Sequence, residues 1–464
     1  MDLQAYLSEN RARFTDDLRR LVEIDSVRTE AKPGAPFGEG GAKALAQAAA
    51  ILTEHGYTVK NYDNYALEAD FGPAPDVMLL AHLDVVPVGD GWTKDPFRLT
   101  VEGDLVYGRG TTDDKGPAIA CLYAMDACRA LWGEPKTGVR LVLGSGEETG
   151  SEDMDHYFSL RPTLPYTLSP DADYPLINIE KGRFAPFFTK TAENGGAKKL
   201  VGFTGGDTQN IVPGKARASV AGFSAAELRP FADKAAAETG AAFALEDTSE
   251  GCGILCVGTS AHAALPEKGV NAQTALLTLL CALPLEQNET TKTLAALLRL
   301  FPHRETDGAG AGVKTADAVS GALTLNFGVL RFENGAFTCG VDMRCPVCAD
   351  GSGIERTFYD AIAPYGFAYV GAPRLRPSHC VPADSRLVQT CLKVYTARTG
   401  FPGKCLAIGG GTYVHDIEGG IAFGVEFPGR DYRIHGADEF ADLNELAQTA
   451  AMYADVIREL CYGE

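Results

Sequence analysis

Residues 76–87 read DVMLLAHLDVVP, a short apolar run that ends at a proline. The run is too short for an ordinary helix and favours a buried β-strand. Similar strands are predicted at 138–144, which read GVRLVLG, and at 166–169, which read YTLS. A helical pattern fills residues 116–131, between the first two strands. Strands that alternate with helices indicate an α/β layer with a mainly parallel sheet.

The same layer is predicted at both ends of the chain and is interrupted in the middle. Residues 1–24 and 445–460 have helical patterns of apolar residues among charges. Between 181 and 376 the segments alternate polar and apolar residues more often, which favours an antiparallel α+β insert. We therefore expect one domain from residues 1–180 and 377–464, and a second from the insert, which has two similar halves.

The composition is that of a globular protein with a strong negative charge. Of 464 residues, 45% are hydrophobic and 22% charged, and the formal net charge is -19. This charge argues against nucleic acid and against anionic membrane surfaces, which both attract Lys and Arg. The N-terminus has no apolar signal-peptide core, and no apolar run approaches the roughly 18 residues of a membrane span. We expect a cytoplasmic protein.

The cysteines do not form a recognisable metal motif. The one C-x-x-C pair is Cys345 and Cys348, which is open to interpretation as a redox motif or half a zinc site. Because no second pair accompanies it, we expect reduced structural thiols.

Histidine and carboxylate residues stand where the predicted strands end. Residues 82–84 read HLD, and positions i and i+2 of a strand share a face, so Asp84 can orient the His82 ring. Downstream, Asp113 and Asp114 are adjacent in a glycine-flanked loop. The alternative for this second motif is a polar loop that caps the following helix.

Three further acidic or histidine motifs follow. Glu147 and Glu148 come directly after the strand 138–144, and neighbouring like charges are costly unless a cation is present or one group is protonated. Asp171 follows the strand 166–169, and His435 lies near the C-terminus. Each motif alone has an ordinary structural explanation, such as an exposed acidic turn. Together they place two histidines and several carboxylates at one sheet edge, a ligand set suited to zinc, cobalt or manganese.

These motifs in combination resemble the aminoacylase/carboxypeptidase-like family of two-metal metallopeptidases and, within it, the PepV-type dipeptidases. The resemblance covers nearly the whole chain. It is carried by the stretches LLAHLDVVPVGDGWTKDPF, YGRGTTDDKGP, LGSGEETGSEDMDHYF, SPDADYPLINIEKG, FTGGDTQNIVPG, IGGGTYVHDI and RIHGADE.

The resemblance implies an α/β catalytic domain with a mainly parallel mixed sheet and flanking helices, interrupted by a large α+β lid domain. It also implies two divalent metal ions, with zinc first and manganese or cobalt as alternatives. His82 and Asp171 would bind one ion, Glu148 and His435 the other, and Asp113 both. The peptide bond between Asp113 and Asp114 would be cis.

The remaining roles also come from the resemblance. Glu147 would be the general base for a metal-bridging hydroxide that attacks the peptide bond of a dipeptide, and Asp84 would support His82. From the insert, His262 would contact the reacting carbonyl, and Asn210 and Arg344 would hold the substrate. Because the insert is long enough to hold two α+β halves, we expect a monomer.

One position departs from the family pattern. PepV-like chains carry Arg or a similar donor shortly after GGGTY, whereas this chain has Val414 and His415 there. A protonated His415 could take over binding of the substrate carboxylate, and an uninvolved loop histidine is the alternative.

Other functions fit the motifs less well. An N-acyl amino acid deacylase of the same family would use nearly the same site residues. A nucleotide-binding protein is disfavoured because no G-x-x-x-x-G-K-[ST] is present and Glu147 and Glu148 would repel phosphate. A metal-binding scaffold without catalysis would have no use for Glu147 as a base.

Overall fold

The computed structural model describes residues 2–463 and divides the chain into two compact units. The first unit contains residues 2–179, 379–406 and 411–463, and the second contains Glu180–Ser378 and Ala407–Gly410. Met1 and Glu464, which the expected catalytic domain includes, lie outside the described residues.

The first unit is built on a mixed β-sheet. Its strands lie in the order Val59–Tyr62, Ala66–Phe71, Gly138–Gly144, Pro75–His82, Tyr166–Ser169, Ile421–Ala422, Ile177–Glu180 and His379–Cys380. The strand Pro75–His82 runs parallel to both of its neighbours. The strands at 59–62 and 66–71 are antiparallel. The expected α/β fold with a parallel centre is thereby confirmed.

Helices cover this sheet: Leu3–Glu9, Arg11–Val22, Glu39–Glu54, Lys115–Trp132, Glu152–Leu160, Arg386–Thr399 and Leu443–Ile457. Every residue of the strand Gly138–Gly144 is buried, as its mainly apolar sequence predicts, and the one charged residue, Arg140, pairs with Glu68 and Asp70. The helix Lys115–Trp132 is buried from Lys115 to Cys128, because it packs against both the sheet and the helix Leu443–Ile457.

The prediction of a single helix over residues 1–24 was wrong. The structure has two helices, Leu3–Glu9 and Arg11–Val22, which meet at Asn10. The Asn10 side chain donates a hydrogen bond to the Tyr6 carbonyl at 2.9 Å, so that it ends the first helix. Asparagine competes for backbone groups in this way, which the apolar periodicity does not reveal.

The second unit is an antiparallel sheet with helices. Its strands lie in the order Ala242–Thr248, Gly251–Val257, Lys215–Ala221, Lys199–Gly205, Thr324–Glu333, Ala336–Cys345, Phe187–Thr191 and Ala368–Tyr369, and Gly182–Phe184 also pairs with Ala336–Cys345. The sheet continues across its middle, where Phe203 lies opposite Phe332. The helices of this unit are Ala225–Thr239, Ala272–Ala282, Glu289–Leu300 and Ile354–Ile362.

The remaining strands are only two or three residues long. They are Thr100–Glu102, Leu105–Tyr107 and Phe440–Asp442 in one small sheet, Ala172–Asp173 with Val425–Glu426, Ala316–Asp317 with Gly321–Ala322, and Leu406–Ile408. Over residues 2–463, no helix is both long enough and apolar enough to cross a membrane.

Candidate metal centre

Three neighbouring parallel strands of the first unit carry site residues at their carboxyl ends. His82 is the last residue of the strand Pro75–His82. The adjacent strand Gly138–Gly144 leads into a single 3-10 turn, Glu147–Thr149, and Tyr166–Ser169 leads to Asp171. Because parallel strands end at the same edge of a sheet, the three segments converge there.

Two loops from distant parts of the chain add the remaining groups. Asp113 stands just before the helix Lys115–Trp132, and its peptide bond to Asp114 is cis, as the resemblance implied. His435 lies in an irregular segment close to the C-terminus, with a left-handed φ of 61°.

These residues form two candidate ligand triads that share Asp113. In the first triad, His82 Nε2 lies 3.0 Å from Asp113 Oδ1 and 3.7 Å from Asp171 Oδ2. In the second, His435 Nε2 lies 2.9 Å from Asp113 Oδ2 and 3.0 Å from Glu148 Oε1. Within each triad all ligand atoms lie within 4.8 Å of one another. The arrangement offers one histidine and two carboxylates to each of two metal positions.

The chemistry of the triads fits divalent cations. The Nε2 atom of His82 is buried and makes no hydrogen bond, although it faces Asp113 Oδ1. Burial and the negative charge of Asp113 raise the pKa of Asp171 to about 7. Burial and the same neighbouring charge also raise the pKa of Glu148. A divalent cation held by these residues would offset this repulsion and accept the imidazole lone pair, and imidazole with carboxylate is a typical catalytic zinc set.

Asp84 contacts both His82 and the glutamate turn. The strand ends at His82, so the two residues do not share a strand face. The His82 Nδ1 atom lies 3.0 Å from the backbone carbonyl of Asp84, and the carboxylate is farther, at 3.5 Å. The carboxylate also accepts hydrogen bonds from the N–H groups of Glu147 and Glu148, at 3.2 and 3.1 Å. Asp84 therefore fixes the ring orientation through its backbone and the glutamate turn through its side chain.

Glu147 and Glu148 have different surroundings although they are neighbours. Glu148 contributes an oxygen to the second triad, whereas Glu147 belongs to neither triad. Burial raises the pKa of Glu147 well above its usual range, and the negative charge of Asp171 adds to the effect. A buried carboxyl group with a raised pKa holds a proton more readily than a carboxyl group in water.

Two buried carboxylates that the sequence analysis did not single out hold the ligand-bearing turns. Asp153 Oδ2 accepts hydrogen bonds from the backbone N–H groups of Ser145 and Gly146, at 2.7 and 2.8 Å, and from the Tyr413 hydroxyl. A side chain at Gly144 would collide with that hydroxyl, so the glycine leaves room for the contact.

The second is Glu439, which accepts hydrogen bonds from backbone N–H groups in the turn before Asp113. It lies within the quoted stretch RIHGADE, but its contacts depend on a loop far away in the sequence. No local pattern could therefore have identified its role.

The predicted residues of the insert lie in the second unit. The segments of Asn210 and His262 are adjacent: Ala263 N–H donates to the Asn210 carbonyl at 2.9 Å, and Ile211 pairs with His262 in an isolated β-bridge. Both Asn210 and His262 are exposed. Arg344 is buried, and its guanidinium binds the Asp342 carboxylate at 2.6 Å.

Arg344 also contacts the segment 409–411, which reads GGG. It donates a hydrogen bond to the Gly409 carbonyl, which belongs to the same unit.

His415 belongs to the first unit, where it is buried in the 3-10 turn Tyr413–Asp416. Its ring centroid lies 6.3 Å from that of His379.

The chain matches a known family and several known proteins over nearly its full length. Residues 78–459 match the model of peptidase family M20/M25/M40. YtjP of Bacillus subtilis (strain 168) is 35% identical over 464 residues, covering 96% of both chains. The Beta-Ala-Xaa dipeptidase of Lactobacillus delbrueckii subsp. lactis is 33% identical over 459 residues, covering 97% of this chain and 96% of that protein.

Solved structures show the same fold at lower sequence identity. Human carnosine dipeptidase 1 gives a TM-score of 0.56 at 16% identity, covering 98% of this chain and 97% of that one. Aminoacylhistidine dipeptidase from Vibrio alginolyticus gives a TM-score of 0.55 at 16% identity, covering 95% of this chain and 96% of that one.

Proposed function

This chain belongs to peptidase family M20/M25/M40, and from that premise we propose that it is a dinuclear metal-dependent dipeptidase. The observation that carries the proposal is the pair of ligand triads that share Asp113. A carboxylate with one oxygen facing each triad is suited to two neighbouring metal ions. The full-length similarity to a Beta-Ala-Xaa dipeptidase supports dipeptides as the substrate class.

The five proposed metal ligands are His82, Asp113, Glu148, Asp171 and His435. We propose zinc as the natural ion, with manganese or cobalt as alternatives, since imidazole and carboxylate ligands suit all three. When bound, the two ions supply Lewis acidity, which lowers the pKa of water and polarises the scissile carbonyl.

Glu147 is the proposed general base. Its carboxylate takes a proton from the attacking water as the bond to the carbonyl carbon forms, and then gives that proton to the leaving amine. Its place outside both triads supports this role, since its carboxylate is not committed to a ligand position. The two hydrogen bonds from Glu147 and Glu148 N–H to Asp84 hold the turn while the proton moves.

We further propose that the second unit is the lid and supplies the substrate contacts. In this proposal His262 stabilises the developing negative charge on the carbonyl oxygen, and Asn210 and Arg344 hold the substrate. The adjacency of the Asn210 and His262 segments supports a joint role, because one movement of the unit carries both.

Hydrolysis assays test the proposal. Metal-free protein is reconstituted with Zn²⁺, Mn²⁺ or Co²⁺ and incubated with a β-alanyl dipeptide, an N-acetyl amino acid and a pentapeptide. We expect metal-dependent release of amino acids from the dipeptide, and little cleavage of the other two. Cleavage of the N-acetyl amino acid alone would show a deacylase, and efficient cleavage of the pentapeptide would show an open exopeptidase.

A further inference from the structure

Glu439 is a completely buried carboxylate that belongs to neither ligand triad. One of its oxygens, Oε1, accepts hydrogen bonds from three backbone N–H groups of a single turn. The donors are Gly110 at 3.0 Å, Thr112 at 3.0 Å and Asp113 at 3.3 Å. A single oxygen atom of Glu439 therefore accepts hydrogen bonds from most of the turn that carries Asp113.

The other oxygen of Glu439 makes a buried ion pair. Oε2 accepts a hydrogen bond from Arg109 Nη1 at 2.7 Å, and the two side chains are 1% and 0% exposed. The desolvation of two charges offsets much of the attraction of such a pair, so stability alone is a weak reason for it. The pair does fix the direction of the carboxylate, which leaves Oε1 facing the turn.

We propose that Glu439 is a positioning residue that holds the turn before Asp113 in its ligating arrangement before any metal ion binds. The inference rests on the proposed function, since it presumes that Asp113 is a shared ligand. Glu439 lies four residues after His435, and it binds the turn of Asp113. It therefore connects the segments that carry two residues of the second triad. Displacement of Asp113 would disturb both triads, because its Oδ1 faces His82 and its Oδ2 faces His435.

Paired variants separate the hydrogen-bond acceptor from the buried charge. Arg109→Met serves as the common background, because it removes the cation that a neutral residue 439 would leave unpaired. In that background, Glu439→Gln retains an acceptor oxygen, whereas Glu439→Met has similar length and offers none. The difference between the two double variants therefore reports on the hydrogen bonds to the turn.

Binding of Zn²⁺ is measured by competition with a chromogenic chelator at fixed pH. Wild type and the Gln double variant are expected to bind two Zn²⁺ with similar affinity. The Met double variant is expected to bind at least one Zn²⁺ about tenfold to a hundredfold more weakly, as for other residues that support ligands. Equal affinities in both double variants would overturn the inference, and the proposed function would stand. A wild type that binds fewer than two Zn²⁺ would overturn both.

A matched control excludes a general loss of stability. Glu68 is also buried and paired with a buried arginine, Arg140, at 3.2 Å, but it contacts no proposed ligand. Glu68→Gln should lower the melting temperature and leave both Zn²⁺ affinities unchanged. A weakening equal to that of the Met double variant would show a merely structural effect and overturn the inference.

Hydrogen exchange in the metal-free wild type needs no variant. The amides of Gly110, Thr112 and Asp113 should be protected, because Glu439 accepts all three without a metal. Unprotected exchange of these amides, with protection only after Zn²⁺ is added, would show that the metals order the turn and would contradict the inference.

Discussion

The Asp84 side chain binds the backbone of Glu147: Asp84 Oδ1 accepts a hydrogen bond from the Glu147 N–H at 3.2 Å. The other oxygen accepts the N–H of Glu148 at 3.1 Å. Both glutamates are therefore held by one carboxylate, but Glu148 Oε1 lies 3.0 Å from His435 Nε2, whereas Glu147 belongs to neither triad. The common anchor leaves the two side chains free to differ in function.

Replacement of each glutamate by alanine is expected to have a different effect. Glu147→Ala should retain both metal ions and lose about 10²–10⁴-fold in turnover, the usual range for loss of a general base. Glu148→Ala should lose one ion, because it removes a ligand of the second triad. Metal content by mass spectrometry and turnover with a dipeptide measure the two effects. The opposite pattern would mean that the roles of the two residues are exchanged.

Removal of the metals is expected to abolish activity without unfolding the protein. The proposed ligands lie in loops and at strand ends, whereas the first unit has its own apolar core around the strand Gly138–Gly144 and the helix Lys115–Trp132. After chelation, the far-UV circular dichroism should be retained, the melting temperature should fall through loss of ligand binding, and added Zn²⁺ should restore turnover. Loss of the far-UV signal would show that the metals are structural.

We expect the protein to act as a monomer, because the insert at 181–376 is long enough for one half to take the place of a partner chain. Mixtures of inactive Glu147→Ala and His262→Ala chains should remain inactive, because each chain uses its own His262. Light scattering should give the mass of a single chain. Recovery of activity in the mixture would show that His262 acts across a dimer.

A buried histidine distant from the metal centre is expected to make stability depend on pH. Burial lowers the pKa of His55, but hydrogen bonds with Asp126 and Asp17 outweigh burial and raise it. The Asp17 contact is 2.9 Å. Because the folded pKa is raised, this contribution is complete below the unfolded value of about 6.5 and is lost as pH rises through the folded pKa.

The comparison of wild type with His55→Gln isolates this contribution. The difference in free energy of unfolding, measured on metal-free protein, should be largest below about pH 6.5 and should decrease at higher pH. Its magnitude is about 1.4 kcal/mol for each unit of upward shift. A difference that grows with pH would show that the folded His55 is neutral.

Much of the fold follows from local patterns in the sequence. The buried strands at 138–144 and 166–169 and the helix near 116–131 were predicted, because a buried strand is a short apolar run and a helix has its own periodicity. The break at Asn10 was missed, since it depends on one side chain that bonds the preceding turn.

The sequence by itself determined which residues have the chemistry of metal ligands and where strands and helices form, because both depend on residue type and short-range spacing. Only the tertiary structure decided that Asp113 faces both His82 and His435, and that Glu439 holds the turn of Asp113. These contacts join residues far apart in the chain. They arise because the loops of Asp113 and His435 meet at the sheet edge where the strand of His82 ends, and no local pattern specifies that meeting.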